Sequence, residues 1–99
     1  MYEVEQTELF EAWLGKLRDR KAAARIAATI QRLGMGLIAD WKAVGGGVHE
    51  IRLVYGPGYR VYFTFQGEKV VLLLCGGNKS SQKRDITKAK KLKEEYSNG

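Results

Sequence analysis

The sequence predicts an α+β fold, in which helices pack on one side of a small, twisted, mainly antiparallel sheet. Three observations carry this prediction. Two helix-period stretches lie between Phe10 and Leu33, three β-rich runs fall between Val48 and Cys75, and a last helical segment covers about Lys83–Tyr96. Segments of one period grouped together, rather than alternating, give the order β-α-α-β-β-β-α. At 99 residues the chain is close to the commonest domain size, so residues 1–99 are expected to form a single domain.

Each element has its own signal. Tyr2, Val4 and Gln6 alternate with Glu3, Glu5 and Thr7, the pattern of a short strand. Phe10, Trp13, Leu14 and Leu17 then fall at i, i+3, i+4 and i+7, one face of a helix. Thr7 is placed to cap it, with Glu8 and Glu11 in the first turn where the helix dipole favours them. Ala23, Ile26, Ala27, Ile30 and Leu33 stripe a second helix over Arg20–Leu33, and Gly34 and Gly36 end it. Its small alanines suit a close-packed helix hairpin. Gly45-Gly46-Gly47 reads as a break.

Beyond that break, Val48–Tyr55, Tyr59–Gln66 and Lys69–Cys75 form a meander punctuated by Gly56-Pro57-Gly58 and Gln66-Gly67-Glu68. From Val70 the third run is apolar at every position, as a central strand covered on both faces would be. A glycine-rich loop over residues 76–82 should lead to the last helix, where Ile86, Ala89 and Leu92 make a thin apolar stripe. The register of the first hairpin follows from burial. An odd-length loop keeps Ile51 and Leu53 on one face with Tyr59, Val61, Phe63 and Phe65. The same register gathers Glu50, Arg52, Arg60, Tyr62 and Thr64 on the other face, expected to be an exposed sheet surface.

Composition narrows the function. Apolar residues make up 44% and charged residues 28%, which suits a folded chain rather than a disordered one. The longest apolar run, Val70–Cys75, is far short of the ~20 residues of a membrane helix. The acidic start lacks the basic and apolar regions of a signal peptide, and a lone Cys75 cannot form an internal disulfide, so a cytoplasmic location without membrane association is expected. The net charge is +6, yet residues 1–14 carry four glutamates and no base. Between Lys79 and Lys93 there are seven Lys or Arg against Asp85 alone. Such a basic segment suits a polyanion, because phosphate neutralisation releases counterions; a solvated helix face explains it equally well.

Several chemistries are poorly supplied. With one His and one Cys no metal site is expected, nor any cofactor. His49 has no nucleophile in an elbow context. Asn78-Lys79-Ser80 is similar to the end of a nucleotide-binding P-loop, but the required glycines are missing. Gly76, Gly77 and Lys79 could bind one phosphate through backbone amides and charge, although a plain strand-to-helix connection accounts for them as well.

Metal-free RNA cleavage is compatible with what remains. The 2′-hydroxyl attacks the adjacent phosphate, cations hold the phosphorane, and side chains carry the protons. Arg52, Arg60 and Lys79 can supply the cations, and His49, Glu50, Tyr59, Tyr62 and Asp85 are the available proton carriers. Tyr59 could stack on a base, and Gln82, Lys83, Arg84, Lys88 and Lys91 continue the basic surface. His49 shares a side with Ile51 and Leu53, which favours a structural histidine over a general base. Cys75 reads as a small core residue, and Trp41, in a polar segment, as an exposed contact.

The blocks Gly45–Arg52, Gly56-Pro57-Gly58-Tyr59-Arg60-Val61-Tyr62-Phe63, Leu73–Gln82 and Asp85-Ile86 resemble the addiction-module killer proteins, the HigB-like branch of the RelE/ParE toxin superfamily. The resemblance extends over nearly the whole chain. It implies a RelE-like fold and the toxin of a type II toxin–antitoxin module, typically a ribosome-dependent mRNA endoribonuclease that inhibits translation. Its partners would be the ribosome, mRNA and a cognate antitoxin, often of helix-turn-helix type. Arg60 matches the hairpin arginine of the RelE-like site, and Lys79 stands near its second functional arginine. Arg52 occupies the strand where RelE has paired lysines, a pairing that Glu50 breaks. RelE's catalytic tyrosine has Asp85 and Ile86 in its region here, where His49 or Asp85 could substitute for it in moving the proton. The alternatives are a non-catalytic RNA- or protein-binding module and a ParE-like gyrase inhibitor.

Overall fold

Among the described residues the chain forms, in order, β1 (Glu3–Gln6), α1 (Glu8–Lys16), α2 (Arg20–Gly34), β2 (Lys42–Gly45), β3 (Val48–Leu53), β4 (Tyr59–Gln66), β5 (Val70–Asn78), a 3-10 turn (Lys79–Ser81) and α3 (Gln82–Asn98). The computed structural model describes residues 1–38 and 40–98. The five strands make one sheet in the order β1-β5-β4-β3-β2. β1 runs parallel to β5, and every other pair is antiparallel.

Thr7 caps α1 as its position predicts. Its Oγ1 accepts from the Phe10 amide at 3.0 Å and donates to the Leu74 carbonyl at 2.6 Å, so one buried hydroxyl starts the helix and ties it to β5. Asp19 caps α2, accepting from the Lys21 and Ala22 amides at 3.1 Å each. The two helices bury Phe10, Ala22, Ile26 and Leu33 against Ile51, Val61, Phe63, Val71 and Leu73 on one face of the sheet.

α3 covers the opposite face, which corrects the expectation that all helices lie on one side. Ala89 is fully buried there over Val48, Tyr62, Leu72, Leu74 and Cys75, flanked by Ile86 and Leu92. β5 feeds both layers by alternation, Val71 and Leu73 to one and Leu72 and Leu74 to the other. A bulge opposite Tyr62 and Phe63 then turns Cys75 to the same side as Leu74. The Cys75 thiol is inert as expected of a core residue, its pKa pushed up to about 12 by burial.

The β3–β4 register pairs Arg52 with Arg60 and Leu53 with Tyr59, so the loop over residues 54–58 is odd, as burial requires. Glu50, Arg52, Arg60, Tyr62 and Thr64 therefore do share a face. That face is not open. Glu50, Arg60, Tyr62 and Thr64 are buried, Tyr62 under Ala89 of α3 and Glu50 against Gln82, and Arg52 keeps half its side chain in water.

Two further expectations change. Gly45–Gly47 is not a simple break but the turn between β2 and β3, with φ of +96°, +63° and +78° that only glycine adopts readily. The glycine-rich loop is also shorter than expected, because β5 continues through Gly76, Gly77 and Asn78, which pair with β4. A Cβ on Gly76 would collide with the Trp13 indole, and one on Gly77 with the Asp85 carboxylate. These glycines permit close packing against the strand, and their pairing with β4 removes the amide-lined phosphate loop. Asn78 caps the 3-10 turn by accepting from the Ser80 amide at 2.9 Å. Trp41 is half-buried against Phe63 and Phe65 rather than presented to a partner. Among the described residues no helix is long and apolar enough to cross a membrane.

Candidate functional site

Glu50 stands at the centre of the polar cluster between the sheet and α3. Its side chain is wholly buried. Arg52 Nε donates to Oε1 at 2.8 Å, and Gln82 Nε2, from the first turn of α3, donates to Oε2 at 2.9 Å. Arg60 Nε lies 3.5 Å from the same Oε2 as a charge contact without a hydrogen bond, while Arg60 Nη1 donates to the Gly58 carbonyl at 3.2 Å. Arg52 and Arg60 are direct cross-strand partners, a destabilising like-charge pair on its own. The carboxylate between them offsets that repulsion.

The electrostatics follow. Burial by itself pushes the Glu50 carboxyl pKa up, but the hydrogen bonds from Arg52 and Gln82 and the Arg52 charge outweigh it and hold the pKa below its ordinary value. Arg52 is held charged more firmly still, chiefly by its bond to Glu50. Tyr62 is pushed far up by burial and then by the Glu50 charge, so its phenol stays protonated; its hydroxyl has no hydrogen-bond partner among the described residues.

Toward solvent, Arg52, Arg60 and Lys79 line one cleft of about 260 Å³, floored by Gly58 and Tyr59. Lys79 also opens a neighbouring groove of about 410 Å³ that runs past Ser81 and Gln82 to Lys83 and Arg84. Two arginines and a lysine, from β3, β4 and the 3-10 turn, thus line one cleft, a set of cations able to hold a phosphate.

Other expected site residues lie elsewhere. His49 is on the opposite sheet face, its ring between Trp41, Phe63 and Phe65, and burial lowers its pKa toward the neutral form. Asp85 turns inward onto Gly77 and accepts from Ser81 Oγ at 2.5 Å. Tyr62 is fully buried, and Tyr59 is buried with its ring edge-on to Trp13 at 6.4 Å. Gln82 is committed to Glu50. Lys83, Arg84, Lys88 and Lys91 are exposed along α3, whereas Lys90 and Lys93 lay their stems over the Gly45–Gly47 turn. Glu50, a member of the polar face and a candidate proton carrier by sequence, is instead the buried anchor of this cluster. Its signal was available: the hairpin register puts one carboxylate beside two arginines.

A double arginine-to-alanine mutant of the Escherichia coli toxin RelE, in its free state, matches with a TM-score of 0.65 over 85% of this chain and 90% of that one, at 22% identity, so the fold is RelE-like. The sequence model for the family described as phage-derived Gp49-like protein (DUF891) matches residues 12–97, and the chain belongs to that family. An uncharacterized Haemophilus influenzae (strain Rd) protein is 45% identical over 93 residues, covering 94% of both chains.

Proposed function

We propose that this protein is the toxin of a type II toxin–antitoxin module, a HigB-like, ribosome-dependent and metal-independent mRNA endoribonuclease of the cytoplasm. The convergence of Arg52, Arg60 and Lys79 on one cleft carries this reading. In RNA cleavage the 2′-oxygen bonds to phosphorus, the P–O5′ bond breaks, and negative charge accumulates on the phosphorane between. Cations fixed around that position stabilise it more than they stabilise the ground state. Glu50 positions both arginines for the task. The RelE-like fold and the Gp49-like family support the toxin role, with a cognate antitoxin of helix-turn-helix type, the ribosome and mRNA as partners.

One observation favours a second reading. His49 lies on the opposite sheet face and Tyr62 and Asp85 are buried, so none of the three lines the cleft, as a non-catalytic RNA-binding module would allow. Induction of the chain alone distinguishes the two. The nuclease reading expects growth arrest, with new mRNA 5′ ends inside translated frames by primer extension, reversed by co-expression of the antitoxin. Arrest with intact message supports the binding module, and relaxed plasmid topology with intact message would indicate a gyrase poison.

A further inference from the structure

Arg52 lines several clefts, and two of them meet at Leu53 and Val54 near the hairpin tip. The first is the Arg60 and Lys79 cleft. The second, about 320 Å³, lies between α2 and the β3–β4 loop and is walled by Arg25, Thr29, Arg52, Val54 and Tyr55 among others. This volume is at the lower end of the range of about 300–1,000 Å³ typical of small-ligand sites.

Its chemistry is specific. The Arg25 guanidinium carbon stands 4.6 Å over the centre of the Tyr55 ring, a preformed cation–π stack. Two guanidiniums line the cleft and no carboxylate does, among the described residues. The Thr29 hydroxyl donates to the Arg25 carbonyl at 2.9 Å, so the wall offers planar cationic and aromatic surface more than free hydroxyls. Val54 at the loop is fully exposed, leaving an apolar side chain in water at the rim.

We propose that this cleft is a stacking subsite for a nucleobase of single-stranded RNA, adjacent to the phosphate held by Arg52, Arg60 and Lys79. The inference rests on the reading of that first cleft as an RNA phosphate site, and it adds where the neighbouring nucleotide goes. The base stacks on the Arg25–Tyr55 surface, and Arg52, shared by both clefts, takes the connecting phosphate. Arginine planes and tyrosine rings are common supports for unstacked RNA bases, and they read the π face rather than base identity. An acidic peptide would use the charges but leave the aromatic surface unpaired. Purines, with the larger π face, should bind better than pyrimidines.

The test is titration of the full-length protein with a fluorescent 2′-O-methyl tetranucleotide, which lacks the attacking hydroxyl, alongside inorganic phosphate and an acidic tetrapeptide. Arg25→Gln lies on an exposed helix face and should weaken tetranucleotide affinity about tenfold, a stacking-sized loss, while leaving phosphate binding unchanged. Tyr55→Leu should weaken it similarly, Tyr55→Phe should retain it, and RNA should shift the Tyr55 ring resonances. If Arg60→Lys and Lys79→Ala weaken RNA binding while Arg25→Gln and Tyr55→Leu do not, the stacking subsite is overturned and the first cleft stands. If the peptide, but not RNA, shifts Tyr55, the cleft is a protein contact and the proposal is wrong. RNA affinity unaffected by all four variants overturns the RNA reading of both clefts.

Discussion

Glu50 and Arg52, two residues apart on β3, are joined by a 2.8 Å hydrogen bond that crosses from interior to solvent: the carboxylate is wholly buried and the guanidinium is half exposed. The buried member fixes the geometry of the exposed one. With Gln82 holding the second carboxylate oxygen, one side chain ties β3 to α3 and aims an arginine at the cleft.

Glu50→Gln should therefore destabilise the fold, because it removes the negative charge between two cross-strand arginines and leaves them facing each other. Breaking a fully buried pair from one side typically costs about 3–5 kcal/mol; with Arg52 half in water, the loss in urea unfolding should be smaller, about 1–3 kcal/mol. The pH dependence has a definite sign. The folded carboxyl titrates below its ordinary 4.5, so its stabilisation is complete above that value and is lost as pH falls through the folded pKa. The gap between wild type and Glu50→Gln should accordingly be widest near neutral pH and close in acid. A gap independent of pH would mean that packing, not charge, is what Glu50 provides.

Arg60→Ala is a poor probe of function, since Arg60 is 7% exposed and its loss should cost about 1–3 kcal/mol. Arg60→Lys keeps a cation but loses the planar fork. Under the nuclease reading its cleavage rate should fall about 100-fold, in line with removal of one transition-state donor, while the fold stays intact by circular dichroism. Full activity in Arg60→Lys would remove Arg60 from the phosphate site.

Which features were legible depended on whether the signal was local. The β3–β4 register could be read because Ile51, Leu53 and Arg60 cannot share a face without burying a charge among apolar residues. The cover over the other face was not legible. Glu50, Arg60 and Thr64 look like solvent-facing residues, yet each finds a partner: Glu50 accepts from Arg52 and Gln82, Arg60 Nη1 donates to the Gly58 carbonyl, and Thr64 Oγ1 donates to the Gly47 carbonyl at 2.7 Å. Only the thin stripe of Ile86, Ala89 and Leu92 hinted at the helix above them. β2 is four residues of no clear alternation and draws its existence from pairing with β3. The convergence of Arg52 and Arg60 followed from register, but the arrival of Lys79 beside them depends on the length of β5, which the glycines concealed.

Those glycines give a stability prediction. Gly77→Ala would push a methyl into the Asp85 carboxylate and should cost more than about 2 kcal/mol, as overpacking does. Asp85→Ala alone should also destabilise, by freeing the Ser81 hydroxyl that it now accepts from. Combined, the two should cost less than the sum of the singles in a double-mutant cycle, because the second removes what the first strikes. Strict additivity would show that the strand and helix do not meet there.

The final prediction separates chemistry from steering. Lys79 lines the phosphate cleft, while Lys88 and Lys91 are exposed on α3, away from the Gly45–Gly47 turn that Lys90 and Lys93 cover. A cation against the scissile phosphate acts on the transition state. Lys79→Ala should thus lower the single-turnover cleavage rate at saturating enzyme and change ribosome binding little. Charges that only attract RNA act through counterion release, each phosphate contact contributing roughly 0.7 to the logarithmic salt slope on a single strand. Lys88→Ala with Lys91→Ala should weaken binding and flatten that slope, yet leave cleavage positions and saturated rate unchanged. Loss of saturated rate in the α3 pair, or of affinity alone in Lys79→Ala, would show that this division of labour between turn and helix is wrong.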